Sequence, residues 1–88
     1  MSRKDRIAAA LNEAFSPVHL EVRDESEQHH GHSGWREGGE THYRVRVVSA
    51  VFDGKTRLAR HRLVTDALAG EFSSGLHALA IEARAPEE

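Results

Sequence analysis

Seven of the 88 residues are histidine, and His29, His30, His32 and His42 fall within one short stretch. Imidazole nitrogen is a good ligand for Zn, Cu, Fe and Ni, so this crowding makes the stretch a candidate metal-binding segment. The chain contains no cysteine. That excludes disulfides, a thiol nucleophile and any cluster held by this chain's own thiolates. Two histidines on one iron of a [2Fe–2S] centre is established chemistry, but here the remaining sulfur ligands have to come from another molecule. The competing account is a solvated loop that is simply rich in histidine.

A second group is cationic. Lys55, Arg57, Arg60 and Arg62 gather where a helix is expected to begin, and side chains of this kind contact phosphate. The net charge of the chain is −2 with histidine neutral, so bulk charge gives no footprint for nucleic acid or an anionic membrane. Nucleic-acid-binding KH domains use a GxxG loop. The corresponding turn, Gly54-Lys55-Thr56-Arg57, lacks the second glycine. A solvated face or a docking surface for an acidic partner accounts for the same residues. Asp24, Glu25 and Ser26 can be drawn with a histidine as a triad, but nothing fixes their geometry. With no phosphate loop, HExxH or nucleotide fingerprint, the chain is expected not to be an enzyme.

The elements that must position these groups follow from periodicity. Ser2 and Asp5 have capping-box spacing, and Ile7, Leu11 and Phe15 repeat on one helical face. Ser2–Phe15 is therefore a predicted helix, ended by Pro17. Val18–Arg23 alternates, with Val18, Leu20 and Val22 facing one way, as a half-buried strand does. Residues 27–40 read as a loop with four glycines and with Trp35, either an exposed binding aromatic or a ring folded back over the sheet. Thr41–Phe52 is a predicted strand with Tyr43, Val45 and Val47 on one face, followed by an Asp53-Gly54 turn. Leu58–Phe72 reads as a helix whose stripe is Leu58, Val64, Leu68 and Phe72, with His61 near that stripe. Leu76–Arg84 is the last predicted strand, with Leu79 and Ile81 inward and His77, of the same parity, bordering the core.

The order α-β-β-α-β predicts one α+β domain over residues 1–88. Two helices cover one face of a three-stranded sheet in a two-layer sandwich, and the strands flanking the second helix run parallel. No apolar run approaches the ~18–20 residues of a membrane span. The charged opening runs straight into a helical pattern without a signal sequence, so the expected location is cytoplasmic.

Several stretches together resemble the BolA family. They are Leu20-Glu21-Val22-Arg23-Asp24-Glu25-Ser26, Thr41-His42-Tyr43-Arg44-Val45, Val47-Val48-Ser49, Phe52-Asp53-Gly54, Arg60-His61-Arg62-Leu63-Val64 and Leu76-His77-Ala78-Leu79, all in the family's order. The resemblance implies a class II KH-like fold. It also implies a complex with a monothiol glutaredoxin that shares a [2Fe–2S] cluster with glutathione, in iron–sulfur assembly or iron signalling. One ligand would come from the loop between the first strands and the other would be His77. His29 falls at the family's loop histidine, with His32 and His30 as rivals in a loop longer than usual. His61 is a secondary candidate. The resemblance carries an alternative, a DNA-binding transcriptional regulator using Lys55, Arg57, Arg60 and Arg62. A further alternative from the residues alone is a stand-alone divalent metal binder using His29, His30 and His32. By itself the chain is expected to be a monomer or a weak homodimer, with no membrane partner.

Overall fold

The computed structural model describes residues 2–25 and 42–87. Helix α1 (Arg3–Phe15) opens on a complete capping box: the Ser2 hydroxyl accepts from the Asp5 amide and the Asp5 carboxylate accepts from the Ser2 amide. These bonds satisfy amides that the first helical turn leaves without partners. The helix stops where Ser16 takes a left-handed conformation (φ 45°) and its amide bonds the Asn12 carbonyl.

Strand β1 (His19–Asp24) pairs antiparallel with β2 (His42–Val48), and β2 pairs parallel with β3 (Ala78–Arg84). The order β1-β2-β3 makes β2 the central strand. Val22, Val45 and Ile81 are aligned across the three strands. Tyr43, Val45 and Val47 are buried beneath Ile7, Leu11 and Phe15 of α1 and Val64 and Leu68 of the C-terminal helical segment. Leu79 and Ile81 pack against this core, as their parity predicts. The opposite face is a lattice of charge in which Arg46 and Arg84 both pair with Glu82, and Arg23 pairs with Glu21. Helices thus cover one face only, and the α+β two-layer prediction holds. Val18 is the exception in β1: it precedes the strand and is 72% exposed.

The second strand ends at Val48, short of the predicted Phe52. The Ser49 hydroxyl donates to the Phe15 carbonyl at 2.6 Å and accepts from the Val51 amide at 3.2 Å. A hydroxyl that captures a nearby amide in this way turns the backbone out of the ladder. A 3-10 turn (Ala50–Phe52) follows and drives Phe52 into the core, with its ring 5.0 Å from that of Phe15. Gly54, at φ 74°, completes the reversal into the next helix.

The predicted helix Leu58–Phe72 is two helices, α2 (Arg57–Ala67) and α3 (Ala69–Ser73), separated at Leu68 (φ −105°, ψ 15°). Its stripe divides accordingly. Val64 and Leu68 are buried, whereas Leu58 is 61% and Phe72 37% exposed. Six residues are about one and two-thirds helical turns, so Leu58 points away from Val64, and Phe72 lies past the change of axis. Arg3 binds this segment to α1. Its guanidinium donates to the Glu71 carbonyl and carboxylate and to the Ser74 hydroxyl and carbonyl at 3.0–3.2 Å. Arg6 adds a second ion pair to Glu71 at 3.1 Å.

Candidate functional site

The parallel ladder sets His42, the first residue of β2, opposite Ala78, the first of β3. His77 is one residue upstream, and its ring centroid lies 5.2 Å from that of His42 with 48° between the planes. His42 is 6% exposed; His77 is exposed. Backbone contacts hold both. The Glu25 amide donates to the His42 carbonyl at 2.8 Å, extending the β1–β2 pairing beyond Asp24. The Leu76 amide donates to the Glu71 carbonyl at 2.9 Å, and the Leu76 side chain is buried just before His77. The Arg3 clamp closes on the same turn at Glu71 and Ser74. Glu25 carries an ion pair with Arg44 at 3.1 Å, and both line a groove of about 380 Å³ with His42, Tyr43 and Ala78–Ala80.

His77 is itself exposed and borders the buried layer through the ring of His42. It precedes the strand, where pleat alternation no longer governs direction. Sequence reasoning counted His42 with the loop histidines and within a family motif, and did not name it as a ligand. Its partner is 35 positions away, and no local pattern announces that pairing. His29, His30, His32 and Trp35 lie outside the described residues.

A pair of neighbouring imidazoles is a chemically suitable donor set for a transition metal. Among the described residues no group of three or more His, Cys, Asp or Glu side chains is placed to hold a metal ion. Within the described residues, this pair offers two nitrogens and needs further ligands from elsewhere.

The cationic residues occupy the other end of β3. Lys55, Arg57, Arg60 and His61 line a groove of about 500 Å³ with Ile81–Arg84. Arg60 is committed to the fold: its Nε donates to the Lys55 carbonyl at 2.9 Å and a terminal nitrogen to the Ala83 carbonyl at 3.2 Å. Lys55, Arg57 and Arg62 are exposed, and Arg62 lies outside the groove lining. His61 is half-buried among these cations, so the structure groups it with them and not with His42 and His77.

A three-stranded mixed sheet with helices on one face is the frame of a recognised family. The family model described as "BolA-like protein" matches residues 11–88. The BolA domain of SufE1 from Arabidopsis thaliana superposes with a TM-score of 0.88 at 48% identity, covering 99% of this chain and 95% of that one. SufE-like protein 1 of the same plant, named as chloroplastic/mitochondrial, is 48% identical over 99% of this chain, which spans 24% of that protein. A Sinorhizobium protein named only for its position in the cobS 5′ region is 52% identical over 100% of this chain and 96% of its own length. The chain belongs to the BolA-like family. Membership carries no cellular address: the plant relative is named for organelles, whereas the sequence reading places this chain in the cytoplasm. No helix among the described residues is long and apolar enough to cross a membrane.

Proposed function

We propose that this protein is a non-enzymatic partner of a monothiol glutaredoxin and lends histidine nitrogens to a bridged [2Fe–2S] cluster. The observation that carries the reading is the His42–His77 pair, with ring centroids 5.2 Å apart where the β2–β3 ladder begins. Two imidazoles meet the terminal-ligand need of one iron, as in Rieske centres. The chain has no cysteine, so the other iron would take its sulfur from the partner's cysteine and from glutathione. When bound, the cluster supplies transferable iron and sulfide and a visible spectrum.

His77, exposed at the end of the ladder, is the ligand that a partner can reach directly. The second nitrogen comes either from His42 behind it or from the loop, where His29 and His32 precede His30 as candidates. The DNA-regulator reading has less support, because Arg60 spends two donor groups on backbone carbonyls of its own fold. The cytoplasm is the proposed compartment.

The test is visible circular dichroism of the protein mixed with a monothiol glutaredoxin carrying its [2Fe–2S] cluster, in the presence of glutathione. The wild type should produce a new spectrum and His77→Ala should not. Running His42→Ala beside a combined His29→Ala, His30→Ala and His32→Ala variant identifies the second ligand by which of them loses the new spectrum. A glutaredoxin spectrum left unchanged by the wild type would falsify the proposal.

A further inference from the structure

We propose that the free edge of β3, flanked by Lys55 and Arg57, takes an extended acidic peptide of a partner protein as a fourth strand. This inference is independent of the metal reading, because it uses the outer backbone edge of β3 and its cationic rim and none of the histidine pair.

The backbone supplies the first observation. In a strand, the N–H and C=O of one residue point to the same side and those of the next residue to the other. The Arg84 carbonyl accepts from the Ser49 amide, so Arg84 faces β2. The Ala83 carbonyl accepts from the Arg60 guanidinium, so Ala83 faces away from β2. By alternation, Leu79 and Ile81 also present their amides and carbonyls to the outer edge. Among the described residues β3 pairs with β2 alone, and Arg60 caps that outer edge at Ala83. An edge of unpaired backbone groups is a template for an added strand unless something blocks it. The block here reaches Ala83 and leaves Leu79 and Ile81 open.

The second observation is charge. The groove beside this edge is lined by Lys55, Arg57, Arg60, His61 and Arg84 against a single carboxylate, Glu82. Glu82 is already held by Arg46 and Arg84, both at 3.1 Å, on the charged face of the sheet. Lys55 and Arg57 are exposed and make no ion pair among the described residues. A chain of net charge −2 therefore concentrates uncompensated positive charge at the rim of an open strand edge.

Together the two observations choose the occupant. A second copy of this chain adding antiparallel through its own β3 would bring its histidine end, and no row of carboxylates, to Lys55 and Arg57. A nucleic acid matches the charge but cannot continue an alternating N–H and C=O ladder. An extended peptide with acidic side chains satisfies both demands: its backbone pairs with Leu79 and Ile81 and its carboxylates reach Lys55 and Arg57. This is strand addition, in which main-chain bonds give affinity and side chains give selectivity.

The probe is a fluorescein-labelled, end-blocked octapeptide of alternating valine and glutamate, titrated with the full chain by fluorescence anisotropy. Its twin carries N-methyl groups on the amides that would join the ladder, at unchanged charge. The unmodified peptide should bind about tenfold tighter than the twin, the equivalent of one or two net hydrogen bonds. Lys55→Glu combined with Arg57→Glu, two exposed positions whose exchange should leave the far-UV circular dichroism unchanged, should weaken binding by about tenfold or more. The amides of Leu79 and Ile81 should gain hydrogen-exchange protection when the peptide is bound. Equal binding of both peptides, or no added protection at those amides, overturns strand addition. A single-stranded oligonucleotide of equal charge that outcompetes the peptide makes nucleic acid the occupant and also overturns it. So does a concentration-dependent dimer that the peptide dissociates.

Discussion

The two ends of β3 offer different kinds of chemistry, and the fold treats them differently. At the start of the strand, His77 sits against a His42 that is 6% exposed, and the turn before it is held by Arg3, Glu71 and the buried Leu76. At its far end, Lys55 and Arg57 are exposed on a rim where only Arg60 is fixed by the fold. Coordination to a metal tolerates errors of a few tenths of an ångström, so its ligands need a stiff mount. Charge attraction at a wet surface acts over several ångströms, so its groups need only be present. One small domain can therefore carry a rigid site and a loose one on the same strand, provided that each end can be disturbed without the other.

The largest expected effect removes both ends together. Phe52 is fully buried and its ring meets that of Phe15; it joins the end of β2 to α1 and to the turn that starts α2. Phe52→Ala should cost about 3–5 kcal/mol, a large share of the stability of a domain this size. Urea unfolding should show that loss, and both the cluster spectrum and peptide binding should fall with the folded fraction. A midpoint displaced by less than about 1 kcal/mol would mean that the core closes without this ring.

The next effect should fall on the histidine end alone. Arg3, with a side chain 11% exposed, makes four hydrogen bonds to Glu71 and Ser74, and these residues set the path into His77. Arg3→Ala should destabilise the chain by about 1.5–3 kcal/mol, the range for hydrogen bonds to charged groups. Arg6 still pairs with Glu71 in that variant, which keeps the loss below that of an abandoned buried charge. Hydrogen exchange should quicken at Leu76 and His77 and remain unchanged at Ala59 and Arg60. A uniform increase across both ends would show that the Arg3 clamp stabilises the whole domain and does not specifically position His77.

The same contrast explains what the sequence disclosed. Local signals were legible where one element satisfies its own backbone. The Ser2–Asp5 capping box, the alternation of Tyr43, Val45 and Val47, and the parity of Leu79 and Ile81 all appear as read. The parallel pairing of β2 with β3 followed from the helix between them. What failed depended on contacts that cross the chain. Ser49 ends β2 by bonding Phe15, 34 residues earlier, and Arg3 meets Glu71 across 68 residues. The break at Leu68 turns a single expected stripe into two helices. Half of the histidine pair was named from motif resemblance, but its neighbour His42 could not be, because the strand register that brings them together is a property of the assembled sheet. The loop candidates His29, His30 and His32 lie outside the described residues, and the cluster titration is what separates them from His42.

The smallest expected effect falls on the cationic end alone. The Thr56 hydroxyl accepts from the Ala59 amide at 3.1 Å and caps α2. The Arg60 amide bonds the Thr56 carbonyl at 3.0 Å, so the first turn of the helix is anchored at this residue. That turn carries Arg57 and the Arg60 side chain that reaches Ala83. Thr56→Ala removes the cap at a cost of about 1 kcal/mol. The fold should survive, and the first turn of α2 should fray. Affinity for the acidic octapeptide should fall a few-fold, while the circular dichroism of the shared cluster stays that of the wild type. Equal damage to both readouts would mean that α2 transmits strain along β3, and the two ends would then be one coupled site. Damage confined to the peptide shows that the rigid and the loose sites are mechanically separate, and that a partner on one leaves the other free.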